Sequence, residues 1–144
     1  MTTSLDLEVP DEKQTLDLAK EYYRFQIEHD GYDSSSDIGD RRDFQRFREY
    51  FEEHGDFMIY ETVNHRIREV SGKELQSVSR EYRNKDWIVY DQEGLSRFIE
   101  VFEETRQTFR AEGKLDESTE YIIQQCINIL RFAKQRGYGV MYSQ

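Results

Sequence analysis

The stretch Asp116–Gly137 restricts this chain's fold more than any other. Asp116 has the short carboxylate that accepts from the free N–H groups of a helix's first turn. Gly137 suits the left-handed position just past a helix end. Lys134 and Arg136 stand in the last turn, where the helix dipole favours cations. Between these ends Ile122, Cys126, Ile129 and Ala133 recur at helical spacing. Ile123, Ile127 and Leu130 widen that line on one side; Tyr121 and Phe132 widen it on the other. At roughly 100° per residue the apolar arc exceeds half the circumference. Such a helix must be covered on several sides, so the pattern predicts a core helix over Asp116–Arg136.

The elements that would cover it follow from the rest of the chain. Met1–Val9 alternates Leu5, Leu7 and Val9, which suits an edge strand or a flexible arm before Pro10. Asp11 and Gln14 have capping-box spacing, and a first helix is expected over Glu12–Asp30. It carries two apolar stripes: Leu16, Ala19, Tyr23 and Ile27, and nearly opposite them Leu18, Tyr22 and Phe25. Two such faces imply deep burial or a face kept for a partner. A second helix is expected over Asp40–Gly55, with Phe44, Phe47 and Phe51 as its inner stripe.

Phe57–Tyr60 reads as a short buried strand. Glu61–Val70 suits either a hairpin turning near Asn64-His65 or a helix, and the hairpin is the expectation taken. Ser71 and Glu74 have capping-box spacing and predict a helix from there to Arg83. Trp87–Tyr90 reads as a strand, and Asp91 as the cap of a helix lined by Leu95, Phe98, Ile99, Phe102 and Phe109. Tyr138–Tyr142 would make a third strand. The fold class expected is α+β: a mostly helical single domain of about five helices with a small sheet of short strands. Residues 1–10 form its arm or edge strand, and residues 11–144 form the domain.

Composition narrows the function. A chain of 144 residues is one ordinary domain, long enough to bury a core without metals or disulfides. The net charge of −10 disfavours nucleic acid and anionic membrane, which carry the same sign. It favours a basic protein partner or plain solubility. The single Cys126 excludes an intrachain disulfide and a multi-cysteine zinc site, and its place on the core stripe suits a buried small hydrophobe. No apolar run approaches membrane-spanning length, and the acidic start is unlike a signal peptide. A protein of the reducing cytoplasm is expected.

No residue set identifies a chemistry. His29, His54 and His65 do not pair at metal spacing. Asp33, Ser35 and Asp37 alternate as in a calcium loop, but Ile38 stands where the sharp turn needs Gly and Phe44 where a bidentate Glu should close the site. Arg48 and His54 have an Arg-x5-His spacing similar to that of some small helical ribonucleases. Phe51 and Gly55 explain the same segment as an amphipathic helix and its stop. Neighbouring acids such as Glu52–Glu53 point about 100° apart and do not converge as a catalytic dyad must. No catalytic residue, metal site or cofactor is therefore expected.

The reading taken is a non-enzymatic acidic module that occupies the basic surface of another protein. Immunity proteins, antitoxin-like inhibitors and phage counter-defence proteins work in this general way. The second reading is a small structural component of an assembly, such as a virion or connector protein or a homo-oligomer. A small ribonuclease is a distant third. The candidate partner-binding residues are Glu49, Glu52, Glu53 and Asp56, since Arg48 is the last arginine before them. Acids there oppose the C-terminal end of the helix dipole.

Overall fold

A computed structural model of the chain describes residues 2–30 and 42–143. The described elements are β1 (Ser4–Glu8), a 3-10 turn (Asp11–Lys13), α1 (Leu16–Asp30), α2 (Arg42–His54), β2 (Tyr60–Thr62), α3 (His65–Tyr82), α4 (Gln92–Ala111), α5 (Glu117–Arg136) and β3 (Gly139–Ser143). The fold is mostly helical α+β, with a three-stranded antiparallel sheet ordered β2-β1-β3. Its contacts fall into two compact units. One joins Met1–Glu8 to Ile59–Gln144; the other is Val9–Met58.

In the larger unit α5 is the centre. It packs against α4 and against all three strands. Asp116 caps it, its side chain accepting from the Thr119 N–H at 2.7 Å, and Gly137 closes it with φ +72°. Gln125, Cys126, Ile127, Asn128, Ile129 and Leu130 are consecutive and all buried, so the middle of the helix is covered all round. Asn128 accepts from Gln124 Nε2 at 2.9 Å, which gives its buried amide oxygen a donor. Ile122, expected on the core line, is only half-buried.

α4 is capped by Asp91, which accepts from Glu93 and Gly94 N–H. Leu95, Phe98, Val101, Phe102 and Phe109 are its buried stripe. Gly94 sits where α4 meets the end of α3. A Cβ there would fall 2.7 Å from Tyr82 Cβ, so only glycine allows that approach.

Four expectations differ from the structure. Glu61–Val70 is not a hairpin. Asn64 caps α3, accepting from Ile67 N–H at 3.0 Å, and the helix runs from His65. The Ser71–Glu74 spacing is therefore not a helix start. Ser71 is buried in mid-helix, and its hydroxyl hydrogen-bonds that of Thr105 on α4. A hydroxyl that finds a partner on another helix has no need of the local backbone, which is why the capping signal misleads. Trp87–Tyr90 is not a strand; only Val89 pairs, in an isolated bridge to Val140. Finally, β1 is neither an arm nor an edge. It lies between β2 and β3, with Asp6 opposite both Tyr60 and Met141. Leu5 and Leu7 are buried, as the alternation required.

The smaller unit is built on aromatic contacts. Ala19, Ile27 and Phe44 are buried together, with Tyr23 and Phe47 against them. Tyr23 meets Phe44 edge-on at 5.6 Å, and Phe47 meets Phe57 at 5.0 Å. These offset geometries suit the ring quadrupoles. On the opposite stripe of α1, Leu18 and Tyr22 are buried and Phe25 is half-buried. The strand expected at Phe57–Tyr60 begins only at Tyr60, although Phe57 and Ile59 are buried. The Asp33–Ser35–Asp37 spacing lies outside the described residues.

Candidate functional site

The acidic set falls on the later turns of α2. Glu49, Glu52 and Glu53, at i, i+3 and i+4, share a face and are exposed; Asp56 follows Gly55, whose φ is +76°, and is exposed as well. Tyr50 stands beside them, 43% exposed, its ring 4.2 Å from that of His54. The charge is not wholly unbalanced. Arg48 reaches forward one turn, Nε to Glu52 Oε1 at 3.1 Å, and His54 Nε2 lies 3.8 Å from Glu53 Oε2. Both groups of the Arg48–Glu52 pair are 58% exposed, so its strength is at most about 0.5 kcal/mol. Among the described residues Glu49 and Asp56 have no ion-pair partner.

The same contacts bear on the Arg48–His54 spacing. The two side chains turn to different neighbours and do not converge. The other histidines are engaged within their own helices, His29 with the Phe25 carbonyl at 2.8 Å and His65 with Glu69 at 2.8 Å. Among the described residues no three His, Cys, Asp or Glu side chains gather as a metal site requires. Cys126 is fully buried, and desolvation pushes its thiol well above the ordinary range.

The structure also forms a cleft that no sequence signal announced. It lies at the end of α3 and has a volume of about 460 Å³, lined by Ser79, Arg80, Arg83, Trp87, Met141 and Ser143 among others. Arg83 caps α3 with extended backbone, its N–H donating to the Ser79 carbonyl. The chain then makes a tight loop organised by Asn84. The Asn84 side-chain oxygen accepts from Asp86 N–H at 2.9 Å and from Ile88 N–H at 3.1 Å. The Asn84 backbone exchanges further bonds with Trp87 and Ile88. These four bonds hold Trp87 at φ +70°, the one described non-glycine residue with positive φ. That conformation costs a bulky side chain of order 1 kcal/mol or more and persists only where its surroundings fix it.

Trp87 is 57% exposed, and the Arg83 guanidinium lies over its ring, 3.6 Å from the centroid. Beyond the loop, Ile88 and Tyr90 lie so close to Gly139 that a Cβ there would sit 2.6 Å from Ile88 Cγ2. The one cue in the sequence was the polar run Asn84-Lys85-Asp86 after a helix end, a turn signal. Nothing in it shows that the tryptophan would turn outward.

No helix among the described residues is long and apolar enough to cross a membrane. No protein-family model, curated protein or solved structure matches the chain.

Proposed function

We propose that this protein is a non-enzymatic binding module whose acidic, tyrosine-bearing α2 face occupies the basic surface of a partner protein, as an inhibitor or immunity protein does. The observation that carries this reading is the exposure of Glu49, Glu52, Glu53 and Asp56 beside exposed Tyr50. The glutamates also gather in the last turns of α2, where the dipole disfavours them by a few tenths to about 1 kcal/mol. An exposed tyrosine with carboxylates to one side of it supplies an anchor and a steering field together. The site of action is the cytoplasm, in keeping with a lone, buried, reduced Cys126. A structural role in an assembly is the second reading. Exposed Met58 and Tyr60, at 59% and 54%, favour it.

The test begins with capture of partners from the native cell, identified by mass spectrometry, on wild-type protein and on Glu52→Lys/Glu53→Lys. Kinetics with the purified partner then decide. The double reversal is expected to lower the association rate at least tenfold at low salt and to leave dissociation nearly unchanged. Association of the wild type should slow as salt rises. A partner whose binding ignores both salt and the reversal refutes the α2 face and favours the assembly reading.

A further inference from the structure

We propose that the cleft at the end of α3 binds an acidic peptide segment of a partner protein. Arg80 and Arg83 would receive a carboxylate, and Trp87 and Met141 the apolar side chain next to it. The inference is independent of the α2 face, which has the opposite charge and lies in the other unit.

Charge is the first argument. In a chain of net charge −10, Arg66, Arg97, Arg106 and Arg131 of this unit each pair with a carboxylate. Arg80 and Arg83 line a concave surface that also holds one carboxylate, Asp86, and among the described residues neither arginine has an ion-pair partner, so the lining keeps a net positive charge. The second argument is orientation. The Arg83 guanidinium carbon lies 3.6 Å over the indole centroid, and a guanidinium held over a ring can still meet a carboxylate through the N–H donors at its edge. Trp87 thus holds Arg83 ready, and the Asn84 loop holds Trp87. The third is the Ser79 hydroxyl. It lines the cleft on a residue only 3% exposed, and among the described residues it has no hydrogen-bond partner. A buried hydroxyl left without a partner is costly; the Ser79 oxygen is covered, and a turn of its side chain toward the cleft would let a ligand oxygen satisfy it.

Peptide is favoured over nucleotide by the same stacking. Arg83 already occupies one face of the indole, so a base could not be sandwiched between the two side chains. The protein's net charge also repels a polyphosphate more than it repels one or two carboxylates. A cleft of this volume falls in the usual range for small-ligand sites.

Trp87 is the only tryptophan, so the full-length protein reports on its own cleft. The probe is a capped hexapeptide of alternating glutamate and leucine, titrated by Trp87 fluorescence and by calorimetry. Saturable binding is expected, at least tenfold weaker for the glutamine-for-glutamate peptide and for Arg80→Gln/Arg83→Gln. Ser79→Ala should weaken binding severalfold while leaving the melting temperature unchanged or higher, which a merely structural serine would not do. Three results overturn the proposal. One is no saturation at millimolar peptide, or equal affinity for the glutamine peptide. Another is tighter binding of adenosine monophosphate, which would assign the cleft to a nucleotide. The last is self-association lost in Arg83→Gln, which would assign it to a second copy.

Discussion

Leu130→Ala tests whether α5 is the element the fold is built on. Leu130 is fully buried, as are Ile127 and Ile129, on a helix covered on several sides. The change removes three carbons, about 2.4 kcal/mol of transfer free energy at about 0.8 kcal/mol per buried carbon. The cavity adds more, because α4 and the sheet cannot both collapse into it, and the total is expected at about 3–5 kcal/mol. Domains of this size hold about 5–15 kcal/mol in all. The variant should therefore melt roughly 10 °C lower, at about 2–4 °C per kcal/mol. The assay is urea unfolding followed by Trp87 fluorescence and by far-ultraviolet circular dichroism. Trp87 lies in the same compact unit as α5, so its transition reports that unit, whereas dichroism counts every helix. Exposed Gln135 on the same helix is the control, and Gln135→Ala should stay within about 0.5 kcal/mol. If Leu130→Ala is as mild as the control, α5 is not central and the packing argument fails.

Three further outcomes are expected. Gly139→Ala would place a methyl 2.6 Å from Ile88 Cγ2 and 2.9 Å from the Tyr90 ring, so urea unfolding should show a loss of about 1–3 kcal/mol and Trp87 emission should shift. Asn84→Ala removes the acceptor of two loop hydrogen bonds; it should cost about 1–2 kcal/mol and raise Trp87 mobility in fluorescence anisotropy, and unchanged anisotropy would mean that the loop is held by something else. Asp6, half-buried in β1, has its carboxyl held above the ordinary range by desolvation, with Ser4 hydrogen bonding opposing. A raised folded-state pKa favours folding below the unfolded value near pH 4, and that contribution is lost as pH rises through the folded value. Asp6→Asn should therefore raise the melting temperature at pH 7 and change it little at pH 3.5; a larger gain at the acid end would reverse the sign of the argument.

The elements read correctly from sequence are those whose boundaries are local. α4 and α5 each carry their own N-cap and a long apolar period, and both start where Asp91 and Asp116 put them. β3 follows Gly137, as the stop signal implied. The start of α3 is not legible because Asn64-His65 suits a turn as well as a cap, while Ser71 and Glu74 offer capping-box spacing about two turns later. The contact that decides, Ser71 with Thr105, is 34 residues away in sequence. Reading residues 1–10 as an arm or edge strand misses the central place of β1, because pairing partners are invisible in a strand's own residues. Ile99 was drawn inward where Val101 and Thr105 are the buried positions, a rotation the pattern alone did not fix. At the acidic face, exposure is legible from helical spacing, whereas the Arg48–Glu52 contact depends on side-chain rotamers that spacing does not fix. The cleft needed the left-handed turn at Trp87, which no residue type there demands.

The central position of β1 has a kinetic consequence. Ser4 sits opposite Thr62 on one side and Ser143 on the other, so the sheet closes two loops of very different length around one strand. Loop-closure entropy grows as about 1.5 RT times the logarithm of length, so the longer closure costs about 2 kcal/mol more than a ten-residue hairpin would. The α3–α4 and α4–α5 hairpins need no such closure and can form early. On a ribosome, β1 emerges first and waits for β3, the last of these strands to be made. Until then its buried residues, Leu5 and Leu7, have no complete sheet to join, and this is the interval in which the nascent chain is most exposed to misassembly.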